Sequence, residues 1–411
     1  MNPKSLLRVA VCLVLAASLV AAQDAPKPAA PTAQEKQEMD ALLARFQNER
    51  TQPLFDAAGW TVLHVASDDA QKRAEPLFGA LQEYGKENPA PVLALGGAKG
   101  LVKGFRNLLA DPDPVMRGFA AILLAVIDDR ESKTEIAKLL KPRPAVTVQD
   151  EVADALVRQF DRGRAAIALG LMGAGEYAKE ISLLLASDDP VVRSGAALGL
   201  GYMNDKTHVK EIAALLKDES DEVQMCAERA LAMLNAREYA KEIASLLAAP
   251  GDPAVGETAC FALAKLQAKE EVPAVAKLLQ NQFAQVKAMK ALAIMDAVDY
   301  TKDIAAILRS DEPLSRCAAL VSLGILNAGT TEDAIAEHLK DKEEFVRPYA
   351  ALALVLMGSQ KYAHEAAAGV GEGIDNLLSC NEFDPLVMDE LRKIRERAQA
   401  NLKEMRAGIQ K

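Results

Sequence analysis

The 411-residue chain carries 58 acidic against 48 basic residues, a formal net charge of −10, and half of its residues are hydrophobic although only 4% are aromatic. That acidic balance argues against a nucleic-acid binder, whose footprint is a basic excess. The length exceeds one compact core, a limit that a repeat array escapes because each unit buries its apolar face only against its neighbours; Ala and Leu must then supply the packing.

In chain order, residues 1–22 read as a cleaved secretory signal: Lys4 and Arg8 form a basic start, Val9 to Val20 is a short apolar run, and Val20-Ala21-Ala22 ends in small residues. The expectation is therefore export to a periplasmic or extracellular compartment, with an uncleaved anchor as the alternative. Cys12 follows Val11, which does not fit a lipid-attachment site, and no later segment approaches the roughly 20 apolar residues of a membrane helix. Residues 23–34, QDAPKPAAPTAQ, form a Pro/Ala-rich tether. Residues 35–110 are an irregular helical N-terminal cap: Met39, Leu42, Leu43 and Phe46 mark one helix, Thr61 to Tyr84 holds two more, and Trp60 packs among them. The Gly-rich stretch Asn88 to Gly104 lacks the spacing of a phosphate cradle, so Gly96 and Gly97 are expected to end a helix or make a turn.

From residue 111 to 370 one phrase returns. It reads EIAKLL from Glu135, EISLLL from Glu180, EIAALL from Glu211, EIASLL from Glu242, AVAKLL from Ala274, DIAAIL from Asp303 and AIAEHL from Ala334. Its β-branched anchors, Ile136, Ile181, Ile212, Ile243, Val275, Ile304 and Ile335, are separated by 45, 31, 31, 32, 29 and 31 residues by subtraction. A step of this size means a solenoid. Asp-Pro at Asp111, Asp113, Asp189 and Asp252 is expected to cap a first helix, such as Pro190 to Met203. A turn then leads to a second helix in which Ile212, Leu215 and Leu216 form the buried stripe. Gly195, Ala196, Gly199 and Gly201 let first helices approach closely. Tyr177, Tyr239, Tyr300 and Tyr362 open second helices, either as a staple for the turn or as an aromatic row. The long step reflects an insertion at 142–160, with a further helix from Val148 to Phe160. Residues 371–411 hold C-terminal capping helices, chiefly Asp384 to Met405. The fold expected is all-α: a solenoid of about eight antiparallel helix pairs between helical caps.

Asp-Pro before the first helix, the V-R element of Val115-Met116-Arg117, Val191-Val192-Arg193 and Val346-Arg347, and E-I-x-x-L-L in the second helix together resemble the short HEAT-like repeats of the phycobilisome-lyase type. The resemblance covers roughly Asp111 to Val370 and implies a right-handed, curved array whose second helices line the concave side. It is specific for fold and uninformative for function. The deoxyhypusine hydroxylases look similar in fold and bind di-iron through several His-Glu dyads; this chain has one such pair, His364-Glu365. The bilin lyases of the broader group are a weak match.

No HExxH, CxxC or GxSxG motif occurs, and His64, His208, His338 and His364 form no dense cluster, so no metal, cofactor or catalytic residue is assigned. Cys226, Cys260 and Cys317 lie in different repeats and, with Cys380, read as small buried fillers. The binding signal is a basic stripe along the second helices: Lys138, Lys179, Lys210, Lys217, Lys241, Lys277, Lys302 and Arg309, opposed by Asp333 and Glu337 in the last full repeat. It suits a partner protein with an acidic surface. The competing reading is a self-neutralising ladder, in which each Lys pairs with a Glu of the next repeat. The expected role is thus an exported, non-enzymatic protein-binding scaffold. The alternatives are a metal-dependent or accessory enzyme of the HEAT-like group and a structural spacer of the cell envelope.

Overall fold

The structure, a computed structural model, describes residues 32–46, 95, 97–142, 159–248, 252–370 and 385–409, with Leu77 and Ile374 as single residues. The signal, most of the tether, Trp60, residues 143–158 of the insertion and Cys380 lie outside the described residues. Two helices, α1 (Ala33–Phe46) and α2 (Gly97–Leu108), precede the repeats. The pairs are α3 (Pro114–Val126) with α4 (Lys133–Lys138), α5 (Phe160–Leu171) with α6 (Ala178–Ser182), α7 (Pro190–Met203) with α8 (Val209–Ala214), and α9 (Asp221–Met233) with α10 (Ala240–Ala244). They continue as α11 (Pro253–Leu266) with α12 (Val272–Lys277), α13 (Gln285–Ile294) with α14 (Thr301–Ala306), α15 (Pro313–Ile325) with α16 (Glu332–Glu337), and α17 (Arg347–Met357) with α18 (Ala363–Val370). A long helix, α19 (Met388–Ile409), follows. Among the described residues there are eight pairs and no strand. The fold is an all-α solenoid, and it divides into two compact units, Met1–Ile212 and Ala213–Lys411.

Each first helix stops in the same way. Asp128, Gly173, Asn204, Asn235, Gln267, Asp296, Asn327 and Gly358 all have positive φ, at the same steps as the second-helix anchors. The N–H of the next residue then reaches five residues back, as from Asp205 to the Leu200 carbonyl at 3.1 Å and from Ala236 to Leu231 at 3.0 Å. This is the Schellman stop, in which a left-handed residue lets the last carbonyls of the helix find donors. Asn and Asp tolerate that conformation nearly as Gly does. A 3-10 turn follows the first seven of these stops, and the second helix after it is only five or six residues long; its Leu-Leu segment can tighten into another 3-10 turn, as in Leu183–Ala186 after α6. So short a helix has little stability of its own and depends on its buried anchor. All seven anchors from Ile136 to Ile335 are fully buried.

The next first helix begins at its Asp-Pro cap. Asp113, Asp189 and Asp252 accept from the N–H of Val115, Val191 and Ala254 respectively, at 2.8 Å for Asp113 and 2.9 Å for the other two. Asp111 differs from the expectation: its carboxylate accepts from Asp113 N–H at 2.9 Å, so it holds the preceding turn and Asp113 is the cap. Replacing Asp189 with Ala is expected to lower stability by about 1 kcal/mol, read as a lower urea midpoint.

The arginine of the V-R element ties this loop to the helix behind it. Arg117 Nη1 donates to the Asp111 and Pro112 carbonyls at 2.7 and 2.8 Å, and Arg193 Nη1 to Ser187 and Asp188 at 2.8 and 3.1 Å. Arg316 Nη1 does the same to Ser310 and Asp311, at 2.9 and 3.1 Å. Gln224 and Arg347 reach the Asp218 and Asp341 carbonyls. The loop residue thus contacted also accepts, through its own side chain, the N–H two residues on, as Asp218 does from Ser220 at 2.9 Å. At the insertion the clamp spans 22 residues, from Arg162 Nε to the Leu140 carbonyl at 2.9 Å, so the residues flanking the inserted segment still meet.

In the first unit α3, α5 and α7 pack in order. The α5–α7 contact is backbone to backbone: a Cβ at Gly195 would lie 2.4 Å from the Gly163 carbonyl oxygen, and one at Gly199 2.4 Å from that of Ala166. In the second unit α9, α11, α13, α15 and α17 pack in order. There α19 lies against α17 and α18 and also reaches earlier pairs. Arg397 Nη2 donates to the Ile325 carbonyl at 2.9 Å, Asn401 Nδ2 to Val355 at 2.9 Å, and Lys265 Nζ stands 3.2 Å from Glu390. These carbonyls end their first helices, where helical donors have run out.

Candidate protein-binding face

In a helix each residue turns by about 100°, so positions two before, two after and five after an anchor all point within about 40° of directly away from it. Lys179, Lys210, Lys241 and Lys302 stand two before their anchors, Lys138 and Lys277 two after, and Lys217 and Arg309 five after. Burial of the anchor therefore turns every one of them outward, and all eight are exposed. Glu180, Glu211 and Glu242, one residue before their anchors, are exposed on the flank of the same helices. Asp333 and Glu337, which oppose the stripe's charge on α16, are exposed as well.

Ion pairs between repeats form at two levels: Arg117 pairs with Asp161 at 2.7 Å and Lys287 with Glu257 at 3.6 Å between first helices, and others lie at the entry to the second helices. Lys133 pairs with Glu176 at 3.1 Å, Arg237 with Glu270 at 2.6 Å, and Lys361 with Asp333 at 2.5 Å. Tyr362 adds its hydroxyl to Asp333 at 2.8 Å, and these two bonds hold the Asp333 carboxyl below its ordinary range. Of the stripe, Lys138 pairs with Glu135 on its own helix at 2.5 Å. Among the described residues, Lys179, Lys210, Lys217, Lys241, Lys277, Lys302 and Arg309 make no ion pair. At the second helices the ladder of neighbouring repeats thus uses turn residues and the first two helical positions, Lys133 and Asp333 among them, and leaves the seven unpaired stripe cations to solvent. Sequence reasoning missed these turn pairs, whose signal was opposite charge one repeat apart.

The remaining candidates are structural in geometry. Tyr177, Tyr239 and Tyr300 each close the 3-10 turn before a second helix and are half-buried. Cys226, Cys260 and Cys317 are buried and unbridged, and burial pushes the Cys260 and Cys317 thiols up to about 12, far from a reactive thiolate. His364 and Glu365 are exposed at the start of α18. Among the described residues no three His, Cys, Asp or Glu side chains are grouped closely enough to hold a metal ion. His338 Nδ1 and the Arg316 guanidinium both meet Asp341, a carboxylate closed off from water.

Residues 177–255 match the family model for HEAT repeats. These residues form HEAT repeats, and the fold of the chain is HEAT-like. Its HEAT-like pairs on either side of the matched segment keep the same left-handed stop, although the model spans only two of the steps. No curated protein matches the sequence. Among solved structures, an engineered protein is 20% identical over 89% of this chain and 99% of its own, with a TM-score of 0.42. The complex of CpcE and CpcF of phycocyanin lyase from Nostoc sp. PCC7120 is 19% identical over 68% of this chain and 94% of its own, with a TM-score of 0.33. YibA of Escherichia coli is 15% identical over 67% of this chain and 96% of its own, with a TM-score of 0.42.

Proposed function

We propose that this HEAT-like repeat protein is an exported, non-enzymatic scaffold that binds an acidic partner protein along the exposed face of its second helices. The observation that carries this reading is the repeated placement of solvent-facing, ion-pair-free lysines at equivalent positions on the second helices of each unit. A lysine held by its helix but not neutralised by a neighbour keeps its field available to a partner, and a row of them steers an acidic surface and fixes its register. The basic, apolar, small-residue order of residues 1–22 supports export.

The test is a crosslinking pull-down with the processed chain, comparing wild type with a variant in which Lys210, Lys217, Lys241 and Lys302 are changed to Glu. The partner is expected to be lost in the variant while helicity by circular dichroism stays the same. Its capture by wild type is expected to weaken at least tenfold as salt rises from low to high, because exposed charges are screened. Equal recovery by both chains would remove the lysines from the interface.

A further inference from the structure

Three large apolar side chains in the second unit face water at one repeat position: Phe283 is 84% exposed, Leu314 68% and Phe345 50%. Each stands 31 residues from the next. Phe283 lies in the turn before α13, Leu314 is the second residue of α15, and Phe345 sits in the 3-10 turn Glu344–Val346 that leads into α17. Single exposed apolar residues are ordinary on any surface, but three in register on consecutive repeats form a row. The loops that carry them are held in place. Asn281 accepts from Phe283 N–H at 3.0 Å, Ser310 from Glu312 N–H at 3.2 Å and Asp341 from Glu343 N–H at 2.9 Å, and the Arg316 and Arg347 clamps tie down the last two.

Two of the three positions in the row are edged with negative charge. Asp311 and Glu312 directly precede Leu314, and Glu343 and Glu344 precede Phe345; three of these four acids are exposed and Glu343 is half-buried. Lys340 and Lys342 are the exposed bases in the last of these loops.

We propose that Phe283, Leu314 and Phe345 form a docking ridge for a basic amphipathic helix of a partner protein, a second surface separate from the lysine face. Packed helices lie about 8–10 Å apart, which sets the spacing of the row. A β-strand does not match it on one face, since its side chains alternate and three residues, about 10 Å, point the wrong way. A helix does match: seven residues advance about 10.5 Å and return to nearly the same face, so one apolar residue per heptad meets one repeat. Basic residues beside that seam would meet the acids at the row's edge. A second copy of this chain is the poorer occupant, because it brings a net charge of −10 to an acidic edge.

The probe is a synthetic three-heptad peptide with leucine at every seventh position and Lys or Arg on either side of the seam. Its control has the same composition with the leucines moved to a six-residue step. Binding to the processed chain is measured by fluorescence anisotropy. The expected result is binding of the first peptide that falls at least tenfold for the control, and at least tenfold for a Phe283→Ser, Leu314→Ser, Phe345→Ser variant. The three side chains are exposed, so that variant should keep its circular dichroism spectrum and melting temperature. Binding that survives the four-lysine reversal separates this ridge from the lysine face. Equal affinity for both peptides or both proteins, no measurable binding, or a dimer in sedimentation that the triple variant abolishes would each overturn the proposal.

Discussion

Gly199→Ala is expected to destabilise the first unit, although an alanine in a helix ordinarily gains about 0.5–1 kcal/mol over glycine. The added methyl would stand 2.4 Å from the Ala166 carbonyl oxygen and 2.7 Å from its carbon, where neither helix backbone can move aside as a side chain could. Overpacking of a filled interior costs about 1–3 kcal/mol, and Gly199→Val should lie at or beyond the upper end. Gly195→Ala meets the Gly163 carbonyl oxygen at the same distance and should behave alike. Gly175→Ala is the internal control, since nothing lies within 4 Å of its added Cβ. Urea midpoints decide the matter. A Gly199→Ala protein as stable as wild type would mean that α5 and α7 are not in backbone contact.

The second large effect concerns Arg316 and Asp341, whose side chains are each only 4% exposed. Arg316 donates Nε to one carboxylate oxygen at 2.9 Å and Nη2 to the other at 2.7 Å, and the same guanidinium clamps the Ser310 and Asp311 carbonyls. Removing the guanidinium leaves a buried carboxylate without its main partner, so Arg316→Ala should cost about 3–5 kcal/mol. Burial pushes the Asp341 carboxyl up, but the Arg316 hydrogen bonds, the Glu343 N–H and His338 more than offset it and hold the group well below the usual carboxylate range. The sign of the pH dependence follows. A carboxyl whose folded value is depressed binds its proton more readily when unfolded, so its contribution is fully present above the ordinary value of about 4. It declines as pH falls from there toward the depressed folded value. Wild-type stability should therefore drop more steeply below about pH 4 than that of Asp341→Asn, measured by urea unfolding at a series of pH values. Parallel curves would show that Asp341 does not carry the effect.

The register of the repeats was readable from the sequence because it rests on local spacing. An apolar residue at a fixed place in each short second helix is buried wherever that helix docks, and the seven anchors identified by spacing are all fully buried. The same holds for the caps at Asp113, Asp189 and Asp252, whose acceptor and donor lie two residues apart. Asp111 was misread for the reverse reason: two Asp-Pro pairs in succession carry the same local signal, and only the position of α3 decides which one caps it. The left-handed stops escaped notice because Asn, Asp and Gln stand at six of the eight, and none of these residue types is diagnostic as glycine is.

For the candidate face, helical geometry alone turned the lysines outward once the anchors were known. Whether they were neutralised was not legible, since Glu180, Glu211 and Glu242 offered equally plausible partners in sequence. What the sequence by itself determined is the fold class, the repeat step and the side of each second helix that meets water, because all three follow from spacings of a few residues. Only the tertiary structure decided that residues at the entry to the second helices take the ion pairs beside the lysine stripe, that the V-R arginines clamp loops, that α19 donates to carbonyls ending α15 and α17, and that Phe283, Leu314 and Phe345 fall in one exposed row. Each of these depends on which atoms packing brings within a few ångströms across a turn, a repeat or most of a unit, and no local pattern encodes that distance.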